Sequence, residues 1–260
     1  ANAGCQAVGT VGNSYVGNVI PLINDDELTY AYIGDVVIPG IDEEEDEQLR
    51  VRYLESLGSE SYAGNITAYR NYALSLDGVG GVQVYPHYRG AGTVKVSIID
   101  TSYDIATDSF VETVQNLICP PETGTNIPSP LGYGMAPIGA RVDVGTATKK
   151  EVGVSMKVTL ANGVSLSEAK TKIVEKLENY FLKVRQSWGN ALTTNTIQYP
   201  VYIYTARIGG AILELSDMIL NVTSIKIGSL DIGDDLACVE DGETQELPYL
   251  DTGNVIIEEE

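Results

Sequence analysis

The residues best placed for chemistry form an unbroken acidic run, Asp42 to Glu47, inside GIDEEEDEQLRVRYLESL at positions 40–57. Carboxylates gathered this way can hold a metal, pair as general acid and base, or open a helix. Their spacing favours the helix. Asp42 stands at an N-cap position with Glu45 three residues on, as in a capping box, and the remaining acids meet the positive end of the helix dipole. Asp46 is spaced to pair with Arg50 at i,i+4, and Arg50 and Arg52 fall towards the negative end. Side chains at 42–47 fan around most of a helical turn, so they do not converge on one ion.

Other chemical motifs fail on spacing. The single histidine, His87, lies in YPHYRGAG at a hairpin turn, and no G-x-S-x-G elbow accompanies it. It reads as a surface or interface side chain rather than a catalytic base. GVGGVQ at 78–83 lacks the third glycine of a dinucleotide loop and leads into a strand, where the fingerprint leads from strand to helix. LGYGMAPIGA has no Lys-Ser/Thr to hold phosphate and magnesium. The late stretch DIGDDLACVEDGETQE misses the alternating D-x-D-x-D-G spacing of a calcium loop and reads as a solvated loop. Asn65-Ile-Thr67 and Asn221-Val-Thr223 fit the glycosylation sequon by chance in a chain without a visible secretory signal. No catalytic residue, cofactor site or metal site is expected.

Composition narrows the classes further. With 36 acidic and 16 basic residues the net charge is −20, which repels a polyanion at long range and argues against nucleic acid as a direct partner. Hydrophobic residues make up 43% of the 260, enough for packed cores and too many for a disordered chain. Cys5, Cys119 and Cys238 are odd in number and far apart, indicating reduced thiols in a cytoplasmic compartment rather than a disulfide framework or zinc ribbon. No apolar run reaches the ~20 residues that span a bilayer, so no membrane insertion is expected. The first residue is Ala, as in a fragment or processed product.

Apolar periodicity gives the elements that must position these residues. Residues 1–39 are Gly-rich with short extended pieces. The acidic helix runs to about Leu57 with Leu49, Tyr53, Leu54 and Leu57 on one face. A second helix starts near Asn65, with Ile66, Tyr69, Ala73 and Leu76 in register. Val82 and Val84, then Val94, Val96 and Ile98, alternate about a glycine turn as a β-hairpin. A helix from about Thr107 turns Phe110, Val111, Val114 and Leu117 inward and ends at Cys119-Pro120-Pro121. A Gly/Pro-rich loop over 120–139 precedes a strand at about 138–144. Val152, Val154, Met156, Val158 and Leu160 then alternate as a strand, and Ser165 with Glu168 forms a capping box. The helix it opens faces inward with Leu166, Ala169, Ile173, Leu177, Tyr180, Phe181 and Val184. YPVYIY reads as a strand, TARIGGAILELSD as a helix and LNVTSIKIGSL as a strand. ALSLDGVGGVQV and LELSDMILNVTSIKI echo each other as helix, short turn and strand. The expected fold is α+β: two α/β units, each with a small mixed or antiparallel sheet packed by helices, preceded by a Gly-rich segment and an acidic helix. Residues 1–59, 60–148 and 149–260 are the expected divisions.

GIDEEEDEQLRVRYLESL, ITAYRNYALSLDGVGGVQVYPHYRGAGTVKVSIID and GYGMAPIGARVDV, taken in order, resemble the baseplate J-like family of contractile phage tails (Mu and P2 J proteins, XkdT-type wedge proteins). The shared pattern is an acidic G-x-D-E-E-x-D-E-x-L-R-x-R segment, a Y-x-x-x-A helix, GVG before a strand, a P-x-x-x-G-x-G-T-V hairpin and an A-P-x-G-A turn. It is strongest over residues 40–145. The resemblance implies a structural, non-enzymatic component of a prophage or tailocin baseplate. Such a component works in wedge assembly, contacts other wedge and hub proteins, forms a homo-oligomer in the assembled baseplate, and resides in the virion tail after assembly in the host cytoplasm. The motif residues it carries over are structural or interfacial: Gly40, Leu49, Arg50 and Arg52; Gly78, Val79, Gly80, Pro86, Gly90, Gly92 and Thr93; Pro137 and Gly139. The chain begins inside the family pattern, without an upstream helical segment usual there. The residues themselves leave two other readings open. One is a glycan- or ligand-binding module using Tyr85 and Tyr88 among 16 tyrosines. The other is a glycoside hydrolase using the acidic run.

Overall fold

A computed structural model describes residues 4–20, 30–50, 53, 64–190, 199 and 201–260. Arg52, Leu54 and Leu57 of the acidic segment lie outside the described residues. The chain divides into two compact units, Ala1–Thr146 and Ala147–Glu260.

In the first unit a short 3₁₀ turn at Thr10–Gly12 precedes two two-residue strands, β1 (Gly17–Asn18) and β2 (Tyr32–Ile33), which pair antiparallel. The core begins with helix α1 (Ile66–Leu74). Asn65 caps it, its side-chain oxygen accepting the Ala68 N–H at 2.7 Å. Strands β3 (Val79–Pro86) and β4 (Thr93–Asp100) form the expected hairpin, with Val82 opposite Ile98 and Val84 opposite Val96. Helix α2 (Asp108–Ile118), capped by Thr107, crosses over to β5 (Arg141–Thr146), which pairs parallel to β4. Sheet order is β3-β4-β5. One core cluster joins Tyr69 and Ala73 of α1 and Phe110, Val114 and Ile118 of α2 to Val82, Val84, Val96, Ile98 and Val142. Two details depart from periodicity. Leu117 is 43% exposed and Ile118 fills the inward position. The strand expected from 138 starts at Arg141, because Gly139 (φ 90°) donates its N–H to Pro130 O and Ala140 to Pro137 O, closing a turn first.

The second unit is built on a second three-stranded sheet. Its central strand β6 (Thr148–Leu160) starts earlier than alternation suggests. Helix α3 (Leu166–Gln186) buries Ala169, Ile173, Leu177, Tyr180, Phe181 and Val184, and Ser165 accepts the Glu168 N–H at its start. Among the described residues of YPVYIY, Tyr202–Ile203 form β7, paired with β9 (Leu236–Ala237). Helix α4 (Thr205–Leu213) is followed by β8 (Ile219–Ile227), antiparallel to β6. The last strand, β10 (Glu246–Glu259), runs parallel to β6 across a bulge between Leu250 and Val255. DIGDDLACVEDGETQE is therefore not a purely solvated loop. It supplies β9 and leads into β10, with Cys238 and Gln245 buried. The two echoed stretches are the edge strands β3 and β8, each entered from the helix before it. The central strand follows β3 in the first unit and precedes β8 in the second.

Candidate functional site

The motif glycines and prolines gather at opposite ends of the first unit's sheet. Gly40, Gly78, Val79 and Gly80 meet where β3 begins and β4 ends. Gly78 takes φ 95°, and a Cβ there would sit 2.7 Å from Pro39 Cδ and 2.9 Å from Phe110 Cζ, so only glycine lets the buried Pro39 lie against the core. Gly80 bulges out of register with β4, and a Cβ on it would collide with the Asp100 carbonyl oxygen. Thr101 ties the group together: its N–H donates to Gly78 O at 3.1 Å and its hydroxyl to Gly40 O at 3.3 Å. Gly40 also passes close against the Gly9 backbone, and Asn13 clasps it from both sides. The Asn13 Nδ2 donates to Gly40 O at 2.8 Å, and the Gly40 N–H donates to Asn13 Oδ1 at 2.6 Å.

Pro86, Gly90, Gly92, Thr93, Pro137 and Gly139 meet at the other end. His87, at φ 57° in the hairpin tip, donates its N–H to Thr93 O at 2.7 Å, while the Thr93 hydroxyl donates to Gly90 O. Arg141 donates its N–H to Gly92 O at 2.8 Å, where the tip meets the loop 119–140. That loop is firmly anchored. Met135 and Ala136 donate to Leu117 O and Ile118 O, Ser129 to Pro120 O, and the Arg141 guanidinium reaches Pro128 O at 2.7 Å and Glu122 at 3.1 Å. It nonetheless holds Leu131, Tyr133 and Ile138 out at 60%, 78% and 84% exposure. Large apolar side chains held outward by an ordered backbone suit contact with another protein, because the ordering entropy is already spent.

The acidic segment differs from expectation. Residues 41–50 are all exposed, and the helix begins at Asp46. Asp42 does not cap it. Its carboxylate accepts the Thr10 N–H at 2.9 Å and the Thr10 hydroxyl at 3.0 Å. Arg50 pairs with Glu47 at 3.6 Å, rather than with Asp46. Leu49 and Arg50 are exposed and join neither end of the sheet. Solvated carboxylates on an exposed turn remove the best candidates for a glycosidase pair.

Tyr85 and Tyr88, the tyrosines of the glycan reading, are engaged within the unit. The Tyr85 hydroxyl donates to the buried Gln83 at 2.8 Å, the Tyr88 hydroxyl to Asp143, and the Arg89 guanidinium lies 5.0 Å over the Tyr88 ring.

Among the described residues shifted titrations are few. Burial pushes up the Tyr69 hydroxyl, with Cys119 adding to the effect, and burial likewise raises Cys119. In the second unit, burial pushes Cys238 up to about 12 and Glu240 up to about 7. Glu240 accepts backbone N–H groups from Val201, at 2.5 Å, and Tyr199, which oppose that rise. A carboxyl titrating near neutrality is a familiar acid–base candidate, but these partners make Glu240 a fastener of β7. Beside it Lys150 and Glu246 pair at 2.5 Å, and Glu246 also accepts the Val239 N–H. An open groove of about 460 Å³ along α3 is lined by two ion pairs, Lys172–Glu175 and Lys176–Glu214, and by Asp217. Among the described residues no group of three His, Cys, Asp or Glu side chains converges as a metal site. No described helix is long and apolar enough to cross a membrane.

Sequence reasoning missed Asn13, Thr101 and Gln115. Each is polar and lies near a sheet edge or end, and its partner is from 23 to 61 residues away or on another element. No periodic pattern carries that signal.

Residues 61–146 match the family model described as the baseplate J-like central domain, which coincides with α1, the three-stranded sheet and α2. Two proteins of Bacillus subtilis (strain 168) are similar over 182 residues, 69% of this chain and 50% of each relative. They are the uncharacterized protein YqbT, 35% identical, and the phage-like element PBSX protein XkdT, 34% identical. The chain thus spans about half the length of the curated relatives it matches. A chain in the cryo-EM structure of the anti-feeding prophage baseplate, 6-fold symmetrised, aligns with a TM-score of 0.52 over 95% of this chain and 51% of its own length. At 10% identity that likeness is one of fold.

Proposed function

Because this chain carries a baseplate J-like central domain over residues 61–146, we propose that it is a structural component of a contractile phage-tail baseplate, of prophage or tailocin type, acting in wedge assembly through protein–protein contacts. The family match over the three-stranded sheet carries the reading. The anchored loop supports it, because exposed Leu131, Tyr133 and Ile138 suit contact with a partner better than chemistry on a small substrate. The proposed partners are other wedge and hub proteins and further copies of this chain, with the assembled protein in the virion tail after assembly in the host cytoplasm. No catalytic role is assigned. The motif residues are proposed to act as scaffold: Gly40, Gly78, Val79 and Gly80 hold one end of the sheet. Pro86, Gly90, Gly92, Thr93, Pro137 and Gly139 set the end that carries the loop.

The test is incorporation. The full-length protein, epitope-tagged at its gene in the producing host, is expected in purified tail particles with antibody label at the baseplate end. Tails that lack the tagged protein while the lysate contains it intact would overturn the reading.

A further inference from the structure

Strand β5 is an edge strand. The Arg141 N–H donated to Gly92 O sets the phase of its parallel ladder, so Arg141, Asp143 and Gly145 bond to β4. Val142, Val144 and Thr146 turn their backbone groups away from it. An open edge of this kind is a template for another strand.

Gln115, on the last turns of α2, occupies that edge. Its Nε2 donates to Val142 O at 2.9 Å and to Cys119 O at 2.6 Å, and its Oε1 accepts the Val144 N–H at 2.7 Å. One donor to residue 142 and one acceptor from residue 144 is the pattern that a single residue of a parallel strand opposite Asp143 would make. Beyond it, Thr146 is engaged through its hydroxyl, which accepts the Ala106 N–H at 2.9 Å and donates to Ile98 O at 2.9 Å.

We propose that the Gln115 carboxamide is a strand mimic that closes β5 to strand addition by a second copy of this chain, an autoinhibitory contact built into the domain. It keeps the parallel edge out of association, so contacts form through side-chain surfaces instead. This holds whether or not the protein is a baseplate part.

Gln115→Met in the full chain removes donor and acceptor at nearly constant volume. The expected result is an unchanged far-UV spectrum, Val144 amide exchange about fivefold faster, the scale of one lost hydrogen bond, and concentration-dependent association beyond that of the parent in sedimentation velocity. Adding Val144→Pro deletes the outward N–H and leaves the β4 ladder intact, so the double variant is expected to sediment as the parent does. Should Gln115→Met fail to fold, Gln115→Ala, which leaves both Val142 O and Val144 N–H without the side-chain partner, is expected to show the same association. A folded variant that sediments as the parent overturns the proposal. So does association that persists undiminished with Val144→Pro.

Discussion

The two units differ in how they satisfy backbone groups that their sheets leave over. In the first, neutral carboxamides serve the half-buried positions: Asn13 takes the Gly40 N–H and C=O, and Gln115 takes Val142 O and Val144 N–H. Carboxylates act there too, but at exposed turns, as Asp42 does for Thr10 and Asp100 for Asp104. In the second unit the buried Gln245 amide donates to Asp241 O, but half-buried carboxylates take other such groups. Glu240 accepts the Val201 N–H, and Glu246 accepts the Val239 N–H while holding Lys150. A charge-assisted bond is stronger than a neutral one but carries a desolvation cost and a titration. These carboxylate bonds of the second unit should therefore respond to pH and to loss of a counter-charge, and the amide bonds of the first should be nearly indifferent to both.

The largest expected effect is in the second unit. Lys150→Met leaves Glu246 without its cation, with side-chain exposures of 26% for the lysine and 19% for the glutamate in the parent. Fully buried pairs lose ~3–5 kcal/mol when one partner goes, and partial solvation reduces that here to about 2 kcal/mol. Trp188 is the only tryptophan and is fully buried in this unit, its indole N–H donating to Glu246 O at 3.2 Å. Its fluorescence therefore follows urea unfolding of this unit directly. An unchanged midpoint would mean that the pair contributes no more than a surface contact does.

Asn13→Ala is the matching test in the first unit. It removes both bonds to Gly40 and should cost about 1 kcal/mol locally, read as Gly40 amide exchange roughly fivefold faster. After correction for intrinsic rates, the acceleration should be equal at pH 5.5 and pH 7.5, because nothing in the clasp titrates. A loss present at only one pH would break the contrast between the units.

The same contrast explains what was legible in the sequence. The β3–β4 hairpin and α3 follow from alternation and helical spacing because one face of each is apolar and the core imposes its period. Strand β10 was invisible because Pro248, Asp251 and Gly253 interrupt its pattern, and its bulge shifts the faces midway. Asp42 looked like an N-cap because local spacing cannot reveal a partner 32 residues away. Gly40, Gly78 and Gly80 were legible as a motif, whereas their convergence on Thr101 required the fold. Asn13 and Gln115 act through the geometry of one amide against one strand edge, and one polar residue leaves no period.

The subtlest expected effect is on pH dependence. Burial raises Glu240 from the ordinary carboxyl range to about 7, and the N–H bonds from Val201 and Tyr199 only partly oppose it. With the folded value above the unfolded one, the folded state binds more protons between about pH 4.5 and 7. Glu240 therefore supports the fold fully below that window, and its contribution falls as pH rises through about 7. Glu240→Gln keeps an acceptor for the same N–H groups without a titration. The parent's Trp188-monitored urea midpoint should drop from pH 5 to pH 7.5 by more than the variant's does, because both share every other charge. Parallel pH profiles would mean that Glu240 ionises in the fold as readily as in the open chain. The charged fasteners of the second unit would then be as indifferent to pH as the amides of the first.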